Sequence, residues 1–123
     1  MEKFEQLFNN VKEQAQIYLL DSGEFFPFGV AIDTANNIKP LSSYLNEGND
    51  RPSSLDLIDL LETYIQKELV NDAYIIAAIC IDVNIKQNEE LFNALEIRIF
   101  EKNSTYKKHV KYFLKATNIE FID

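Results

Sequence analysis

One cysteine, one histidine and no tryptophan stand among the 123 residues, and each scarcity closes off a class of chemistry. The lone Cys80 can form no internal disulfide, so no covalent staple holds the chain. One cysteine and one histidine also fall short of the usual zinc set, which needs four convergent ligands. The three glycines lie at positions 23, 29 and 48, too scattered for a phosphate-cradling loop, and no serine sits between glycines at the spacing of a nucleophile elbow. No apolar run reaches the roughly 18 residues of a membrane span. The opening segment MEKFEQLFNN carries neither a basic leader nor an apolar signal core. The expectation is a cytoplasmic protein with no catalytic residues, no cofactor, no metal and no membrane contact.

What is present is an ordinary globular composition, 46% hydrophobic and 26% charged, of a length that buries one continuous core. We therefore expect a single α+β domain over residues 1–123. The net charge of −8 is unevenly placed: residues 1–72 hold 13 acids and 5 bases, residues 73–123 hold 7 of each. An acidic field repels phosphate backbones and draws basic partners, so nucleic-acid binding is not expected and a basic protein partner is electrostatically easier.

Periodicity supplies the elements. Phe4, Leu7, Phe8, Val11, Ala15, Tyr18 and Leu19 recur at steps of three and four, which predicts an amphipathic helix ending near Gly23. Phe26, Phe28, Val30 and Ile32 alternate as a strand, and the Ala35-Asn36-Asn37 turn returns the chain into a second strand over 38–45, which Pro40 marks as an edge. Residues 46–52 read as loop. Ser53 or Ser54 caps a second helix lined by Leu55, Ile58, Leu61, Ile65 and Leu69. The apolar run 73–83 predicts a central strand covered on both faces. Two half-exposed strands follow, one through Leu95, Ile97 and Ile99, the other through Val110, Tyr112 and Leu114, while the tail 118–123 shows no clear pattern. The order is α-β-β-α-β-β-β: a mostly antiparallel five-stranded sheet with helices packed on one face, profilin-like or roadblock-like in outline.

Three segments carry a resemblance. Gly23-Glu24-Phe25-Phe26-Pro27-Phe28-Gly29 runs into Val30-Ala31-Ile32-Asp33, and is followed by Ile79-Cys80-Ile81-Asp82-Val83 and by Ala94-Leu95-Glu96-Ile97-Arg98-Ile99. Together they resemble an uncharacterised family of small bacterial α+β proteins, most specifically through the Phe-Pro-Phe-Gly run. That resemblance implies no activity. Where relatives often carry a Gly/Pro-rich connection before the last hairpin, this chain has Ile85-Lys86-Gln87-Asn88-Glu89-Glu90, which is no ligand cradle.

The candidate binding residues are the aromatics Phe25 and Phe26, one of which must leave the core face, and the outer face of the last hairpin, with Glu96, Arg98, Phe100 and His109 beside Lys107 and Lys111. His109 shows no acid partner at sequence level, and a dyad with Cys80 would need a thiolate in an apolar strand. Asp33 and Asp82 are a carboxylate pair that strand ends could bring together for acid/base work. We expect a non-enzymatic protein-binding module that forms a homodimer or captures a basic protein partner, as immunity proteins and antitoxins do. The alternative is a small-molecule binder or minor hydrolase with a pocket between the sheet and the 46–52 loop.

Overall fold

The computed structural model describes residues 2–41 and 54–122. Helix α1 (Glu2–Ser22) leads into β1 (Phe28–Asp33) and β2 (Ile38–Leu41); α2 (Ser54–Val70) then precedes β3 (Tyr74–Gln87), β4 (Glu90–Glu101), β5 (Ser104–Leu114) and β6 (Ile119–Ile122). All six strands lie in one antiparallel sheet, in the order β2-β1-β3-β4-β5-β6. The sixth strand corrects the expected five. It lies in the tail, where four residues are too few to show an alternation. No helix among the described residues is long and apolar enough to cross a membrane.

The helices occupy opposite faces of the sheet, which corrects the expectation of one shared face. Leu7, Val11, Ala15 and Leu19 of α1 pack on Val30, Ile32, Ile76, Ala78, Cys80, Leu95, Ile97 and Ile99. Ile58, Leu61, Ile65 and Leu69 of α2 pack instead on Ala31, Ala77, Ile79, Ile81 and Phe100. Because strand side chains alternate between faces, the interleaved numbers identify two cores, one on each side. Burial at this level contributes about 1.5–3 kcal/mol for each large aliphatic side chain, so each helix is held chiefly by its own stripe.

Local chemistry sets the junctions. Gly23 ends α1 at φ +78, with its N–H donating to the Leu19 carbonyl at 2.8 Å. At the β1–β2 turn, one oxygen of Asp33 accepts the N–H groups of Ala35 and Asn37, each at 2.9 Å, while Asn36 takes φ 71. The backbone bond from Asn37 is foremost among the influences that hold the Asp33 carboxyl below its ordinary range, against the opposing effect of desolvation. β3 extends beyond the expected 83 to Gln87, and Asn88 and Glu89, both at positive φ, turn it directly into β4. The expected second strand is seen over Ile38–Leu41, and residues 42–45 lie outside the described residues.

Candidate functional site

Helix α2 covers β1, β3 and the Phe100 end of β4, and among the described residues no helix lies above the rest of the β4–β5 surface on that side. Cross-strand register pairs Glu96 with His109 and Arg98 with Lys107 on this surface. The Glu96 carboxylate sits 3.0 Å from Nε2 of His109 through one oxygen and accepts the Arg98 Nε–H at 2.8 Å through the other. It is 12% exposed, against 38% for His109 and 35% for Arg98. Burial pushes the Glu96 carboxyl up, but the bonds from His109 and Arg98 with the positive charges of Arg98 and Lys107 outweigh it, so the group lies below its ordinary value. The acid partner that the sequence did not reveal for His109 is therefore Glu96, thirteen residues away in the chain and directly opposite in the sheet.

Aromatics flank this cluster toward the β3–β4 turn. Phe92 and Phe113 meet edge-on at 6.4 Å, and the Lys111 ammonium lies 4.4 Å from the centre of the Phe92 ring while hydrogen-bonding Gln87. The six sequence-predicted binding residues thus separate. Glu96, Arg98 and His109 come together. Phe100 shares their parity but is 1% exposed beneath α2, so it belongs to the core and is corrected as a contact residue. Phe25 lies half-buried on the α1 side, ring to ring with Tyr18 and Phe28, whereas Phe26 is 60% exposed in the α1–β1 connection. Neither phenylalanine touches the charged cluster.

The proposed chemistry of other residues is dispersed. Cys80 is fully buried on the α1 side, where desolvation raises its thiol well above the ordinary value, while His109 stands on the opposite face. Asp33 pairs in register with Tyr74, eight residues along β3 from Asp82, a separation of about 26 Å at strand rise. They form no carboxylate pair. Asp82 instead accepts the Tyr112 hydroxyl at 2.6 Å and a backbone bond from Phe25. Among the described residues no group of three or more His, Cys, Asp or Glu side chains could hold a metal ion. The pocket expected beside the 46–52 loop falls outside the described residues.

Sequence reasoning missed one concavity. A groove of about 620 Å³ lies on the α1 side, lined by Lys3, Phe4, Ile75, Ile76, Glu101, Tyr106 and Lys108. Phe4 stacks on Tyr106 at 6.2 Å, and the Lys108 ammonium lies 5.7 Å from the Phe4 ring centre.

Comparison with protein-family models, curated proteins and solved structures finds no match. The functional reading rests on the geometry of this chain.

Proposed function

We propose that this chain is a non-enzymatic protein-binding module whose contact surface is the part of the β4–β5 sheet face that α2 does not cover. One observation carries the reading: a charged cluster fixed by hydrogen bonds, Glu96 with His109 across the strands and with Arg98 along β4, lies beside the Phe92–Phe113 pair on the part of the sheet face that α2 does not cover. Fixed charges next to aromatic surface suit recognition, because little side-chain freedom remains to be lost on docking. A His–Glu pair is also half of a general-base arrangement, but among the described residues His109 has only Glu96 as a hydrogen-bond partner.

The charge of β5 differs in sign from that of the whole chain. β5 holds Lys107 and Lys111 on this face with His109, Lys108 on the α1 side, and no acid, whereas α2 holds Asp56, Asp59, Glu62 and Glu68 against Lys67. The overall acidity that favours a basic partner is thus absent from β5. The test compares proteins captured from the source cell's lysate by the native chain and by Arg98→Glu, with light scattering on both. A captured protein, or a homodimer, that the variant loses supports the reading. Identical capture by both chains, with both monomeric, overturns it.

A further inference from the structure

β5 is longer than its outer neighbour. β4 pairs with it along residues 104–111, but β6 covers the opposite side only from Lys111 to Leu114. Among the described residues no strand pairs with the outer side of residues 104–110, a stretch of about 23 Å at strand rise. In an antiparallel strand every second residue directs both its N–H and its C=O away from the inner neighbour, so this edge offers a ladder of unpaired backbone groups. Residues 104–109 are exposed throughout.

We propose that this edge takes up an extended segment of another protein in which acidic residues alternate with apolar ones. This inference rests on the reading of the chain as a protein-binding module and names the partner's chemistry. Two sets of side chains specify it. On the face shared with Glu96, the edge presents Lys107 and His109; on the α1 side it presents Tyr106 and Lys108, the outer wall of the groove that Lys3, Phe4, Ile75, Ile76 and Glu101 also line. An added strand would project alternate side chains to these two faces. Carboxylates on one side meet Lys107 and His109, and apolar side chains on the other pack against Tyr106 and the Phe4 ring stacked on it.

The same charges disfavour a second copy of this chain at the edge. Pairing β5 with the β5 of another molecule would set lysines against lysines, and like charges directly opposite are unfavourable. The edge therefore discriminates by sign.

The experiment uses the full chain at pH 7 with a fluorescein-labelled peptide of alternating glutamate and valine, its counterpart with lysine in place of glutamate, and a glutamate peptide N-methylated at alternate amides. The glutamate peptide is expected to bind at least about tenfold more tightly than the other two, to weaken with added salt, and to slow amide hydrogen exchange within residues 104–110. Lys107→Glu, checked for native fold by circular dichroism, should weaken binding about tenfold; Lys102→Glu, in the β4–β5 turn, should leave it unchanged. Equal binding of the glutamate and lysine peptides, protection elsewhere in the sheet, or no binding at all overturns the proposal. An edge whose lysines serve solely to keep copies apart gives the last result. Loss of the edge proposal in this assay leaves the module reading standing if Arg98→Glu still abolishes capture.

Discussion

Tyr112 on β5 reaches diagonally across β4 to donate its hydroxyl to Asp82 on β3 at 2.6 Å. Asp82 is level with Leu95 and Val110 in the register, and Tyr112 lies two residues further along β5, so the bond ties two strands that share no ladder. Removing the hydroxyl with Tyr112→Phe leaves a half-buried carboxylate with one donor fewer. The expected cost is about 1–2 kcal/mol, read from the urea midpoint.

Asp82 and Glu96 should impose opposite pH dependences. Desolvation chiefly raises Asp82, with the nearby Glu24 charge adding to it, above the ordinary 3.8. A carboxyl raised in the folded state binds its proton more tightly there, so this group lowers stability as pH climbs from 3.8 through the folded value. Glu96 is lowered from 4.5, so its contribution is complete above 4.5 and disappears as pH falls through the folded value. Denaturation midpoints between pH 3 and 7 should lose the first slope in Asp82→Asn and the second in Glu96→Gln. Unchanged slopes in both variants would contradict these assignments.

Gly29 is required for close approach, not for its backbone freedom. A Cβ built there would lie 3.1 Å from the Leu41 Cβ and 3.2 Å from the Ala78 carbonyl oxygen. The carbonyl belongs to the β1–β3 ladder and cannot swing aside. Gly29→Ala should therefore destabilise by about 1–3 kcal/mol, seen as a lower thermal midpoint.

At the β3–β4 turn, Asn88 and Glu89 take φ 52 and 69. Asparagine tolerates the left-handed region, whereas glutamate pays for its Cβ there. Glu89→Gly is expected to stabilise the fold by about 0.5–1 kcal/mol, because Asn-Gly is the pair that such a two-residue hairpin favours. Equilibrium unfolding in urea checks it.

Much of the architecture was legible because it is local. The three-and-four spacing of Leu7, Val11, Ala15 and Leu19 gives α1 without knowledge of anything else, and the alternation through Leu95, Ile97 and Ile99 gives β4. The side of the sheet on which a helix lies is not local: the stripe on α2 has the same form whichever face receives it. The dual coverage read into 73–83 already required a layer on each side, a constraint the single-face arrangement did not meet. Leu55, placed on the buried stripe by spacing, is 75% exposed at the start of α2.

The candidate site was legible by residue and not by contact. Parity along β4 and β5 put Glu96, Arg98, Lys107 and His109 on one face. Which of them touch depends on a register fixed by the Lys102-Asn103 turn, and Phe100 has the same parity while α2 decides that it is covered. The unpaired edge was hidden further still, since it follows from the mismatch in length between β5 and a four-residue strand.

Within residues 76–81, β3 gives Ile76, Ala78 and Cys80 to one core and Ala77, Ile79 and Ile81 to the other, all of them buried. A slip of one position would exchange these two sets at little hydrophobic cost, so that stretch cannot choose its own alignment. Alternation between polar and apolar returns only from Asp82 onward, and the hairpin closes at Asn88 and Glu89. The contents of both interiors are thus sorted from the solvent-exposed end of the strand, and a substitution at that tip can scramble packing more than 20 Å away at strand rise.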